Sequence, residues 1–220
     1  MRGRFLTFEG LDGCGKSTQL EKLAGVLRRR GLDVVTTREP GGTPIGEQMR
    51  EILLHSRTQG LAPRAELALM FASRAQLIEQ LIKPALQHGK WVLCDRYTDS
   101  SEAYQGGGRQ LGSDLVLRMH RVVCADFWPD LTILMDSDVE KSVQRARRRN
   151  VGKSKSGPDE NRFETESREF FERVHQAYLA ITKREERVVQ VDARRAIGVV
   201  HKDIVAAVEK RLLKGAATAK

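Results

Sequence analysis

The run "GLDGCGKST" at residues 10–18 has the residue types and the spacing to hold a polyphosphate. Gly10, Gly15, Lys16 and Ser17 satisfy the pattern G-x-x-x-x-G-K-[ST]. Glycines let backbone N–H groups turn inward around phosphate oxygens, the lysine brings positive charge to the transferred end, and the serine hydroxyl can ligate Mg²⁺. A helix opening at the lysine adds the positive end of its dipole. The pattern marks Gly10, Leu11, Asp12, Gly13, Cys14, Gly15, Lys16, Ser17 and Thr18 as the binding loop for a nucleoside triphosphate. A second acid and base, Asp95 and Arg96 in "DRY", follow the apolar run "WVLCD". There Asp95 can hold Mg²⁺ or its waters, and Arg96 can bridge two phosphates. One thing is missing: the loop has no arginine to neutralise a phosphoryl group in transfer.

These residues need elements to hold them. Strand-length apolar runs occur at 4–9 ("RFLTFE"), 33–39 ("DVVTTRE"), 91–95 ("WVLCD"), 131–136 ("LTILMD") and 187–192 ("RVVQVD"), mostly rich in β-branched or aromatic residues. Helical periodicity fills the gaps. In "KSTQLEKLAGVLRRRG", Leu20, Leu23 and Leu27 make one apolar face and Gly31 ends the helix; "AELALMFASRAQLIEQLIKPAL" is the longest such segment. This alternation predicts an α/β fold, a five-stranded parallel sheet with helices on both faces. Ligands in such sheets bind at the carboxyl ends of the strands, where the sequence places Glu9, Arg38 with Glu39, Asp95 with Arg96, Asp136 and Asp192. For Asp136 and Asp192 singly, a water-facing strand end is the preferred reading.

The totals narrow the partners. The 220 residues carry a formal charge of +9 with 40% hydrophobic and 30% charged residues, which implies an anionic partner for an ordinary globular chain. Aromatic residues are only 5% and do not alternate with basic ones, so nucleic acid is not expected. Cys14, Cys94 and Cys124 lack CxxC spacing, and His55, His88, His120, His175 and His201 form no metal or triad spacing; reduced thiols and a cytoplasmic location follow. With no signal-peptide pattern and no apolar run of about 18 residues, no membrane partner is expected. Residues 1–213 read as a single domain, with a basic lid at about 145–162 and a disordered tail at 214–220.

Four further stretches carry a resemblance: "FEGLDGCGKST" (8–18), "TREPGGT" (37–43), "FASR" (71–74) and "DRYTDSSEAYQGGGR" (95–109). In this order and with these separations, over roughly residues 3 to 210, the chain closely resembles the bacterial thymidylate kinase family. The resemblance implies a P-loop fold of the nucleoside monophosphate kinase kind, transfer of the γ-phosphoryl of ATP to dTMP, Mg²⁺ as cofactor and a homodimer. It implies that Asp12 accepts from the deoxyribose 3′-hydroxyl; a carboxylate in a phosphate cradle would otherwise repel the triphosphate, the alternative being an acid stabilised by the helix dipole. Arg50 resembles the arginine that clamps the acceptor phosphate, and Glu39 the acid at the Mg²⁺ and phosphate site. Phe71 and Arg74 resemble the pair that reads thymine, the ring stacking on the base and the guanidinium donating to O4. Ser101 and Gln105 align with base contacts, and Tyr104 with the residue that closes over C2′ and excludes a ribose hydroxyl. Gly106 to Gly108 give their loop turn freedom.

One branch of the family places an arginine inside the P-loop, and another places its basic residues in the lid. Here Gly13 stands at the loop position, while the lid carries Arg145, Arg147, Arg148, Arg149, Lys153, Lys155 and Arg162. Arg147 and Arg149 are the favoured catalytic cations beside Lys16 and Arg96, with Arg145 behind them. Two rival readings stay open: a kinase for a different nucleotide or deoxynucleoside, and a nucleotide-switched protein using its basic face on nucleic acid.

Overall fold

A computed structural model describes residues 3–58, 60–153 and 160–213, with only the backbone of 149–153. The expected tail at 214–220 and most of the lid loop lie outside the described residues. Each of the five apolar runs forms a strand within one residue of its expected bounds: β1 (Phe5–Glu9), β2 (Val34–Arg38), β3 (Trp91–Asp95), β4 (Leu131–Asp136) and β5 (Val188–Asp192). All pair in parallel, in the order β2-β3-β1-β4-β5.

Between the strands run α1 (Lys16–Arg29), α2 (Pro44–Leu54), α3 (Pro63–Leu77), α4 (Lys83–Gln87), α5 (Thr98–Ser101), α6 (Ser113–Cys124), α7 (Val139–Lys153), α8 (Arg168–Arg184) and α9 (Ile197–Val208). The period-two alternation of β1 shows how they cover the sheet. Leu6 and Phe8 pack with Leu20, Leu23 and Leu27 of α1 and Val200 and Ile204 of α9. Phe5 faces the other way, into a cluster with Leu67 and Phe71 of α3 and Val116 of α6. A third cluster joins Leu11, Tyr104 and Phe163 to Phe170, Val174 and Tyr178 of α8.

The long helical segment is interrupted as its sequence requires. Lys83 N bonds to Ile78 O, five residues back, in a π-helical turn (Ile78–Ile82) just before Pro84, which has no N–H to continue an α-ladder. A second π-helical stretch, Glu102–Gly108, follows α5. Gly106 to Gly108 lie inside it with no positive φ. Their role is close approach: a Cβ on Gly107 would sit 2.8 Å from Ala177 Cβ, and one on Gly108 2.5 Å from the Phe170 ring. The turn freedom expected of them is not what the backbone uses.

Side-chain caps open two of the helices. The Thr43 hydroxyl accepts from Gly46 N at 3.0 Å with Pro44 opening α2, and Ser167 accepts from Phe170 N at 3.2 Å to open α8. No helix among the described residues is long and apolar enough to cross a membrane.

Candidate active site

Because β1 lies between β3 and β4, the loop after β1 and the residues after β3 meet at the carboxyl edge of the sheet. A cavity of about 330 Å³ opens there, lined by Lys16, Ser17 and Thr18 at one end and by Arg74, Ser101, Tyr104 and Gln105 at the other. Asp12, Gly13, Gly15, Arg38, Glu39, Pro40, Arg50, Leu54, Met70, Asp95, Arg96 and Phe163 complete much of its wall.

At the loop end, Gly15 has φ +100 and α1 begins at Lys16, so the first amides of α1 face the cavity as an anion-binding terminus. Lys16 is buried, and its ammonium donates to the carbonyls of Gly10 (3.1 Å) and Leu11 (2.9 Å). Ser17 Oγ donates to Asp95 Oδ2 at 2.7 Å, which sets a hydroxyl beside a carboxylate. Burial pushes the Cys14 thiol up despite nearby Lys16, consistent with a packing role. Gly13 explains why this loop has no arginine. Its φ is +79, and a Cβ would overlap the Ser142 carbonyl and lie 2.9 Å from the Ala146 nitrogen, so α7 occupies the space a side chain would need.

Arg96 joins the two ends. It takes a left-handed φ of 77, a strained conformation for a non-glycine residue, and its amide bonds to Phe8 O. The guanidinium donates to Asp12 Oδ1 (2.9 Å), Ser100 Oγ (2.9 Å), Tyr104 OH (3.2 Å) and Tyr178 OH (3.2 Å). Asp12 Oδ2 also accepts from Tyr104 OH at 3.2 Å. Behind this group, buried Glu9 accepts from Tyr97 N (2.7 Å), Ser100 Oγ (2.5 Å) and Tyr178 OH (3.0 Å). Burial, then the nearby Asp99 carboxylate, push Glu9 up to about 7.

The other cations are also paired. Arg50 meets Glu160 through a two-pronged fork, Nε to Oε1 at 2.7 Å and Nη2 to Oε2 at 2.8 Å, and donates to Pro40 O. Arg74, 2% exposed, donates to Glu39 Oε2 (2.7 Å), Tyr97 O (3.1 Å) and Ser101 Oγ (2.9 Å). Burial raises Glu39 to about 7 even with Arg74 beside it. Arg74 Nη1 has no hydrogen-bond partner among the described residues. Arg38 bonds to Glu47 at 3.0 Å at the cavity rim.

Three expectations meet a different placement. Phe71 is fully buried in the sheet-facing core and its ring lies under the Arg74 guanidinium at 4.6 Å; Met70, half-buried beside Tyr104 and Phe163, lines the cavity instead. Glu39 faces Arg74 rather than Ser17 or Asp95. Arg147 donates to the carbonyls of Glu164 (2.9 Å) and Glu166 (3.3 Å), and Arg145 to Lys141 O and Ser142 Oγ, so neither lines the cavity. The side chains of Arg149 and Lys153, and all of Lys155, lie outside the described residues. Reading by motif also passed over Met70, Ser100, Glu160, Phe163 and Tyr178; Glu9 and Arg38 carried a signal, their charge at a strand end.

A phosphate-binding loop, an adjoining hydroxyl and carboxylate, and a second chamber rich in paired arginines define a P-loop kinase of the nucleoside monophosphate kinase kind. The thymidylate kinase family model matches residues 8–204. Thymidylate kinases of Idiomarina loihiensis (40% identical over 212 residues, 96% of this chain and 100% of the relative), Alkalilimnicola ehrlichii (46% over 200 residues, 90% and 89%) and Pelotomaculum thermopropionicum (46% over 219 residues, 98% and 98%) are similar to it. The chain belongs to the thymidylate kinase family.

Proposed function

We propose that the chain transfers the γ-phosphoryl of ATP to dTMP, giving ADP and dTDP. The observation that carries this is that one cavity has the donor loop at one end and, at the other, a buried arginine with a donor that has no partner among the described residues. The loop amides and Lys16 hold the β- and γ-phosphates, the ammonium exchanging backbone carbonyls for phosphate oxygens. Ser17 Oγ and Asp95 are hard oxygen donors that fit Mg²⁺, an ion that takes few protein ligands and keeps waters and phosphate oxygens. Held by Ser17 and Asp95, the ion would supply positive charge against the transferring phosphates.

Arg50 holds the acceptor phosphate with the fork it now offers to Glu160, because carboxylate and phosphate accept the same two-pronged geometry. Arg96 bridges donor and acceptor. An oxygen of the dTMP phosphate attacks the γ-phosphorus, the bond to the β–γ bridging oxygen breaks, and ADP leaves. The chain supplies position and charge, with no covalent intermediate. Asp12 accepts from the 3′-hydroxyl, and Tyr104, its ring buried and its hydroxyl engaged, closes the space of a ribose 2′-hydroxyl. Arg74 Nη1 donates to thymine O4, where cytosine presents an opposing amino donor. Ser101 holds Arg74 in place, Gln105 contacts the base edge, and Met70 covers the base face with a polarizable thioether.

The remaining transferring charge is assigned to Arg147 and Arg149 of α7. Arg147 must then leave the Glu164 and Glu166 carbonyls. The family resemblance also supports a homodimer working in the cytoplasm, for which sedimentation velocity should give one species of twice the chain mass.

Phosphoryl transfer from ATP to dTMP, dUMP, dCMP and thymidine tests the reading. The expected result is a preference for dTMP, with kcat lowered roughly 10³-fold or more by whichever of Arg147→Ala and Arg149→Ala removes the acting cation. A preference for dCMP would overturn the role of Arg74. Hydrolysis stimulated by nucleic acid, without transfer to any acceptor, would favour the nucleotide-switched reading.

A further inference from the structure

Glu66 is fully buried yet does not line the cavity. It stands on α3 four residues before Met70 and eight before Arg74, on the face that supplies the wall of the acceptor chamber. Its carboxylate gathers donors from two separate segments. Oε1 accepts from Gln105 Nε2 (2.8 Å) and Arg109 Nε (3.3 Å); Oε2 accepts from Arg109 Nη2 (3.2 Å) and Arg162 Nη2 (2.5 Å).

Each donor leads back to the cavity. Gln105 lines it directly. Arg162 opens the 3₁₀ turn Arg162–Thr165, donates to Leu53 O at 2.6 Å and stacks 4.7 Å from the Phe163 ring. Arg109 lies 5.5 Å from the same ring and pairs with Glu166 at 2.6 Å. Phe163 in turn meets the Tyr104 ring edge-on at 5.7 Å, and Leu54, beside Leu53, is another wall residue. Two guanidinium groups and two carboxylates balance in charge here, and Glu66 is the member shared by both arginines.

We propose that Glu66 is a positioning residue for the acceptor nucleotide, fixing Gln105 against the base and, through Arg162, seating Phe163 over the same chamber. The proposal rests on dTMP as acceptor. Its logic is geometric: a buried carboxylate with four donors has one arrangement that satisfies all of them. That arrangement links the base-contacting glutamine to the turn that closes the far wall. Without the second carboxylate oxygen, Gln105 and Arg162 have no common anchor.

Glu66→Gln keeps the volume, removes the charge and turns an amide toward the arginines. The expected result is a rise in the KM for dTMP of roughly tenfold, the order of one charge-assisted hydrogen bond, with the KM for ATP unchanged. Arg162→Met cuts only the arm to the turn and should give a smaller rise of the same kind. Hydrogen exchange supplies a readout that plain loss of stability does not move: dTMP should slow amides 160–166 in the wild type and fail to do so in Glu66→Gln at saturating dTMP. A wild type that uses dTMP, with both variants folded and their dTMP KM unchanged, would overturn the inference. So would equal rises in the KM for ATP and dTMP, which mark a scaffold residue. Should Glu66→Gln fail to fold, Arg162→Met decides alone, by the same KM comparison. A wild type inactive toward dTMP sinks the proposed function and this inference together.

Discussion

The two ends of the cavity are built by different means. The donor end is one continuous stretch, residues 10–18, whose single cation rests on backbone carbonyls. The acceptor end draws side chains from α2, α3, the Glu102–Gly108 segment and the Arg162–Thr165 turn, and its cations already hold carboxylates: Arg50 with Glu160, Arg74 with Glu39, Arg96 with Asp12. Backbone amides around a glycine turn are fixed by local dihedrals and tolerate neighbours. Partly or fully buried ion pairs are a collective arrangement, in which removing one member leaves the other uncompensated. The donor end is therefore expected to fail locally when altered, and the acceptor end to fail as a network.

Arg96 belongs to both ends, touching Asp12 of the loop and Ser100, Tyr104 and Tyr178 beyond it. Arg96→Ala should show the largest effect, a loss in kcat/KM of roughly 10³-fold or more, by comparison with arginines that neutralise transferred phosphoryl groups elsewhere. Arg96→Lys should recover little of it, because an ammonium cannot serve four acceptors with a planar fork. Steady-state kinetics with each substrate varied would separate the ends. Lys16→Ala should raise the KM for ATP and spare dTMP, whereas Arg96→Ala should damage both; a loss confined to one substrate would break the comparison.

The next effect divides neighbours on one helix. Phe71→Ala should destabilise the protein by about 3–5 kcal/mol, as for other buried aromatics, and leave the KM for dTMP nearly unchanged in whatever remains folded. Met70→Ala should cost less stability and raise that KM several-fold. Denaturant unfolding paired with kinetics reads both, and the reverse pattern would restore Phe71 to the base. The sequence could not separate these two. Consecutive helical residues point roughly 100° apart, both lie within one turn of Arg74, and only the packing of α3 against Phe5, Tyr97 and α6 decides which enters the core. By contrast, the strands and the phosphate loop were legible, because strand-length apolar runs and glycine spacing are local signals. The network behind the acceptor end was not. Glu66 meets Arg162 across 96 positions and Glu9 meets Tyr178 across 169, separations at which spacing carries no information. Gly13 shows the middle case: its missing side chain was visible, but the reason, the start of α7 packed against it, needed the fold.

The smallest effect concerns pH, and it too separates the ends. Glu9 and Glu39, both on the acceptor side of the loop, rise from 4.5 to about 7, mainly by burial. Between those values the folded state holds protons that the unfolded chain has released. The stability each contributes is complete below about 4.5 and is lost as pH rises through about 7, at most on the order of 3 kcal/mol per group. His120 opposes them: burial lowers it from 6.5 to about 4, so its contribution is present above 6.5 and is lost as pH falls toward 4. The wild-type profile is then a sum of opposed slopes, and the variants must supply the contrast. Relative to wild type, Glu9→Gln and Glu39→Gln should each lose the decline between about pH 5 and 7.5 in urea unfolding, whatever their absolute stability. Ser17→Ala, at the donor end, should run parallel to wild type throughout that range. If the Gln variants also ran parallel, the acceptor side would not be storing protons, and its buried carboxylates would have to be ionised partners of Arg74 and Arg96 at every pH where the protein folds.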